Sequence, residues 1–244
     1  MGIVSAVWIF DCLVALWVSF PSAKSWRKSF AFRLRQGGAK LNFDLHRSGG
    51  VWLWGILLML AVTSVSLNLG REVMKPVISV FSTVAPTPFE ARKPSRIDAP
   101  VEPELSREQA IALAVDHVRA LGWNAPPGEI FYAHRFGIYG VSFFFPERDE
   151  SDDGMGNPWI YLDGVTGRVV SSKVPGTGSA GDVFMQAQLP LHSGRILGMP
   201  GRILISITGL AVATLSVTGV ILWARKRRAK KRSDAARAAA CRAA

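Results

Sequence analysis

Cysteine is nearly absent from this chain: Cys12 lies in an apolar segment and Cys241 in the C-terminal tail. Two thiols so placed build neither a disulfide framework nor a CxxC site, and they read as inert. Walker loops, HExxH and the GxSxG elbow are also missing, which removes the usual carriers of nucleotide, zinc-protease and serine-hydrolase chemistry. No glycine loop is assigned to a dinucleotide, so NADPH or flavin would act as a diffusible donor or be held by another protein. Acidic residues are scarce, 18 against 29 basic, for a net charge of +11. That surplus is localised: seven basic residues lie from Lys24 to Arg47 and nine from Arg225 to Arg242, while Gly70 to Pro200 is close to neutral. Positive charge flanking apolar runs is the pattern of cytoplasmic membrane anchors, and it excludes nucleic acid as the partner.

Long charge-free runs are what the chain does have. Ile203 to Trp223 carries no charged residue and closes on Arg225-Lys226-Arg227-Arg228, long enough to cross a bilayer as a helix. Val51 to Leu69 is a second such run, opened by Trp52 and Trp54. Ile3 to Phe20 is a third, interrupted by Asp11; no positive n-region precedes it and no small-residue cleavage site follows, so it reads as a span rather than a leader. Asp11 is either a functional group or a residue near an interface or helix contact. Ser206, Gly209, Ala213 and Ser216 share one helix face, suited to close approach of another helix or a flat cofactor. The expected organisation is a span over 3–20, a basic cytoplasmic loop over 21–47, a span over 48–69, a Pro-rich linker over 70–104, a soluble domain over 105–175, a link over 176–202, a span over 203–224 and a basic cytoplasmic tail over 225–244. The fold class is therefore membrane α-helical, with three spans and a small α+β domain.

Within the soluble part, Ser106 followed by Gln109 is a capping box for an amphipathic helix that Gly122 stops. Strand-like runs follow at 130–136, 139–145, 159–162 and 168–174, with a glycine turn at 163–167. Glu147 to Gly154 is an acidic loop without calcium-loop spacing and reads as a solvated hairpin tip. Gly176 to Gly181 is expected to be a flexible link.

The helix beginning Ser-x-x-Gln-Ala, the strands and Trp159-Ile160-Tyr161-Leu162-Asp163-Gly164-Val165-Thr166-Gly167 together resemble a PepSY domain. Asp44-Leu45-His46-Arg47-Ser48-Gly49-Gly50 and Leu191-His192-Ser193-Gly194-Arg195, with Gly198 and Gly201, resemble the PepSY-associated transmembrane proteins. That family includes PiuB-like iron-uptake proteins and haem-containing ferric-siderophore reductases of the bacterial inner membrane. Fuller members have four spans and two PepSY-like regions, and this chain resembles their C-terminal half, lacking the N-terminal half and its histidines. The resemblance implies a periplasmic PepSY domain, membrane lipid as surroundings, and haem b bound by His46 and His192. Arg47, Arg195 and Arg202 would serve its propionates, and Gly49, Gly50, Gly194 and Gly198 would leave room for the ring. Each histidine opens its span on an opposite bilayer face, on the order of 30 Å from the other, so each needs a second imidazole from a homodimer or partner subunit. Without the resemblance, a histidine at a helix mouth is more often an interfacial polar residue; His117 and His134 lack ligand spacing and read as ordinary domain residues. Two functions follow: haem-linked electron transfer to a ferric siderophore, or a non-enzymatic anchored module whose PepSY domain binds an envelope partner.

Overall fold

The computed structural model describes residues 1–20, 22–144 and 154–243. Its elements in chain order are α1 (Gly2–Ser19), a 3-10 helix (Ala23–Phe30), α2 (Gly38–Asn68), a π-helical turn (Gly70–Met74), α3 (Lys75–Ser79) and α4 (Arg107–Ala120). Next come β1 (Pro127–Ala133), β2 (Ile138–Phe143), β3 (Trp159–Asp163), β4 (Val169–Lys173), α5 (Ala180–Ser193), a 3-10 turn (Arg195–Leu197) and α6 (Gly198–Ala243). They group into two compact units, Met1–Asn68 with Arg202–Ala244, and Leu69–Gly201. α1, α2 and the apolar part of α6 are long and apolar enough to cross a membrane. The protein is thus a membrane helical protein with a small α+β domain. The acidic loop lies outside the described residues except for its last one, Gly154.

In the first unit, α2 starts at Gly38, well before the position expected for the second span. Its polar first turns are helical because each of their costly groups finds a partner. Asp44, 3 % exposed, receives Arg33 through Nη2 at 2.6 Å and Nε at 2.8 Å, and the Arg33 backbone N–H at 2.8 Å. The Arg47 guanidinium donates to the Ser19 carbonyl at the end of α1 and to Ser29 Oγ, both at 2.8 Å. Ser48 Oγ donates to the Ala31 carbonyl at 2.8 Å. Phe30 sits edge-on to Trp52, and the Trp52 indole donates to the Phe30 carbonyl. The segment expected to be a plain basic loop is therefore fastened to α2 from Ser29 to Arg33. Higher up, the Trp54 indole donates to the Cys12 carbonyl of α1 at 2.9 Å.

Most apolar side chains of these helices, among them Ile3, Trp17, Leu210 and Val217, are exposed, as lipid-facing residues are. Asp11 also lies on an exposed side of α1. The small-residue stripe of α6 does not face inward: Ser206, Gly209, Ala213 and Ser216 are exposed, while Thr208 and Thr218 are buried. Packing chose the neighbouring helix face. The basic tail, which carried no fold signal, continues α6 as helix.

The second unit is built on an antiparallel sheet in the order β1-β2-β3-β4. Ala110, Ala114 and Val118 of α4 pack on Tyr139, Val141, Phe143, Ile160 and Leu162. The capping box that starts α4 is present, with Ser106 Oγ accepting from Gln109 N–H and Gln109 Oε1 accepting from Ser106 N–H. β2 is buried along its whole length, so its other face needs a cover too. The 70–104 stretch supplies it, and the expected loose linker is a folded part of this unit. Phe89 packs edge-on against Phe136 and Tyr161, with ring centroids 5.2 and 5.9 Å away. Ser95 N–H and Val101 N–H donate to the Arg135 and His134 carbonyls, and Tyr132 Oη donates to the Val101 carbonyl. Arg92 forms an ion pair with Asp163 in the turn between β3 and β4.

Two predictions follow from these clamps. Asp44→Asn removes the charge that holds Arg33, so trypsin should cut faster at Arg27 and Lys28 in the detergent-solubilised protein while helix content is kept; an unchanged cleavage rate would show that the loop is held by other contacts. Asp163 is pushed up by desolvation, but the Thr166 N–H, Arg92 and Val165 N–H hydrogen bonds outweigh this and bring it from 3.8 to about 2. A lowered carboxylate pKa stabilises the fold above its unfolded value, here about 2 kcal/mol, and that contribution fades as pH falls from near 4 to about 2. The thermal midpoint of Asp163→Asn should therefore lie below wild type at neutral pH and converge on it across that acidic window.

Candidate cofactor site

His46 is not at a helix mouth. It lies more than two turns inside α2, where that helix meets α6 over Leu215 to Gly219. Its Nδ1 stands 3.0 Å from the Leu215 carbonyl oxygen and 3.3 Å from Thr218 Oγ1. A carbonyl oxygen only accepts, so Nδ1 carries a proton, and in the neutral ring that leaves the lone pair on Nε2. Asn42 Nδ2 donates to the Thr218 carbonyl at 3.3 Å and fixes the same crossing. Gly219 makes the approach feasible: a Cβ there would stand 2.8 Å from His46 Cε1. Thr218 and Gly219 escaped the sequence reading, whose only hint was a glycine inside an apolar helix. Gly49 touches the Leu215 side chain, at 3.6 Å from where its Cβ would be, and Gly50 borders open space. Arg47, expected near a cofactor's carboxylates, spends its Nη2 on Ser19 and Ser29.

His192 belongs to the second unit and does not begin a span. It lies in the last turn of α5, a helix that begins at the end of the flexible link expected over Gly176 to Gly181. α5 forms because Ser179 and Asp182 make a reciprocal capping box and Gly194, with φ of +77°, ends the helix in the left-handed conformation. Gly194 N–H donates to the Leu191 carbonyl, and a Cβ on Gly201 would lie 1.9 Å from the Gly194 oxygen. Gly194, Gly198 and Gly201 are thus required by the corner between α5 and α6. The Arg195 guanidinium lies over Gly156, and the Arg195 carbonyl accepts from Gly154 N–H; Arg202 is exposed on α6 in the first unit.

The six residues from Gly176 to Gly181 do carry GxGxxG spacing, contrary to the sequence-based expectation of no dinucleotide loop signature. The context is wrong for a dinucleotide. β4 ends an antiparallel meander, and at the start of α5 Gly181 N–H already donates to Ser82 Oγ and Asp182 N–H to Ser179 Oγ.

A bis-imidazole haem needs two neutral ring nitrogens. His46 meets the requirement for one, since a histidine whose Nδ1–H is held by a carbonyl presents Nε2 as a ligand in a fixed orientation. It is the sole histidine in the sequence of the first unit, so one copy of that unit could supply no more than one imidazole. Among the described residues no group of three or more His, Cys, Asp or Glu gathers as a metal site.

The sequence model for the PepSY-associated TM region matches residues 1–226. No curated protein matches the chain. Coverage of nearly the whole chain by that family model, on three membrane-length helices and a four-stranded domain, establishes that this protein belongs to the PepSY-associated transmembrane family.

Proposed function

We propose that this protein carries electrons across the bacterial inner membrane through haem b and delivers them to a ferric siderophore on the periplasmic side, where its PepSY domain would lie. The observation that supports this reading is the contact of His46 Nδ1 with the Leu215 carbonyl, made beside Gly219. His46 would hold the iron through Nε2, and a second copy or partner subunit would supply the opposing imidazole. A haem so held supplies reversible one-electron chemistry. The protein's own part would be to orient His46 and to keep its Nδ1 proton on the Leu215 carbonyl. His192 would serve a second site of the same kind.

A specific observation favours the second reading, a non-enzymatic PepSY module with a membrane anchor for an envelope partner. Arg47 and the glycines 194, 198 and 201 all have structural tasks that need no cofactor.

Reduced-minus-oxidised spectra of the purified protein decide between them. Wild type should show a b-type α-band, and His46→Ala should lose the part of it that depends on this site. Gly219→Val should also lower haem content, because its side chain needs the space that His46 fills, while His117→Ala should leave the spectrum unchanged. Well-folded wild-type protein without an α-band would reject the redox reading.

A further inference from the structure

A cavity of about 450 Å³ opens within the second unit, walled by Tyr161 and Phe89, by β4 and by α5. That volume is in the range of small-molecule sites. Its acceptors are already in use. Glu90 takes the Lys75 ammonium at 2.6 Å and the Thr87 N–H at 3.1 Å. Asp182 takes the Ala85 N–H at 2.7 Å and the Ser179 N–H at 2.9 Å. The donors are not. Among the described residues Lys173 Nζ, Tyr161 Oη and Ser171 Oγ make no hydrogen bond, and Arg71 reaches Glu90 only at 3.9 Å. Burial pushes the Tyr161 phenol up, so it keeps its proton and can donate. Three cations, Arg71, Lys75 and Lys173, face two carboxylates; Arg71 and Lys173 interact with Glu90 and Asp182 through charge alone, and neither hydrogen-bonds to a carboxylate. Beside these donors the wall is flat and aromatic, with Phe89 edge-on to Tyr161.

We propose that this groove binds a small organic anion, a carboxylate carried on a flat apolar body. The carboxylate meets Lys173, with Arg71 and Ser171 beside it, and the flat body lies against Tyr161 and Phe89. A cation is disfavoured because Arg71, Lys75 and Lys173 already surround the groove's two carboxylates, each of which accepts hydrogen bonds within the protein. Binding here needs no haem, so it stands or falls apart from the electron-transfer reading.

Calorimetric titration of the full chain in detergent tests it, with benzoate, its neutral isostere benzamide, and inorganic phosphate as probes. Benzoate should bind saturably and benzamide far more weakly. Phosphate, which shares the charge but lacks the flat body, should neither match benzoate nor displace it at equal concentration. Lys173→Gln should weaken benzoate about ten-fold, as loss of a charge-assisted hydrogen bond does. Arg71→Gln, on a different element, should weaken it in the same direction, which guards against a folding defect in one variant. No saturable benzoate binding, equal binding of benzamide, phosphate as good as benzoate, or full affinity in both variants would each overturn the proposal.

Discussion

A buried aspartate sets the geometry of the first unit. Asp44 lies near the start of a helix that goes on to membrane length, and a carboxylate in that position is tolerable only with its charge matched and its oxygens hydrogen-bonded. Arg33 does both with its side chain and its backbone N–H. Arg47 and Ser48 extend the same arrangement to the end of α1 and to Ala31. With these three residues turned toward the 19–33 segment, His46 projects toward α6 instead. The placement of the imidazole thus rests on neighbours that never touch it.

The second unit solves a different problem. A four-stranded meander with one helix on it leaves a face open, and β2 is too apolar to leave wet. The 70–104 stretch closes that face with Phe89 and a row of backbone hydrogen bonds. Since a proline-rich chain cannot pair continuously with a strand, it covers the sheet unevenly. The groove beside β4 lies along that uneven cover, with Lys173 and Arg71 at its exposed rim.

Several residues read as cofactor contacts turn out to have structural work. Gly201 passes so close to the Gly194 carbonyl that no side chain fits, and Gly194 itself needs positive φ to end α5. Glycine spacing and a basic residue beside a histidine look alike whether they serve a ring or a corner. The capping box at Ser106 was legible because both partners lie three residues apart. The matching box at Ser179 was obscured by its flanking glycines, which read as a flexible link although they only bracket the cap.

What the sequence alone determined is local or compositional: three charge-free runs of membrane length, positive flanks, a capped helix before alternating strands, and the family pattern. These follow from hydrophobic length and from contacts only a few residues apart. Tertiary structure decided which face of α6 packs, that the 70–104 stretch belongs to the domain, and that His46 rests on Gly219. Each of those depends on groups far apart in the chain, His46 and Leu215 being 169 positions apart. No local period encodes such a meeting; it is chosen by which buried polar groups can satisfy one another.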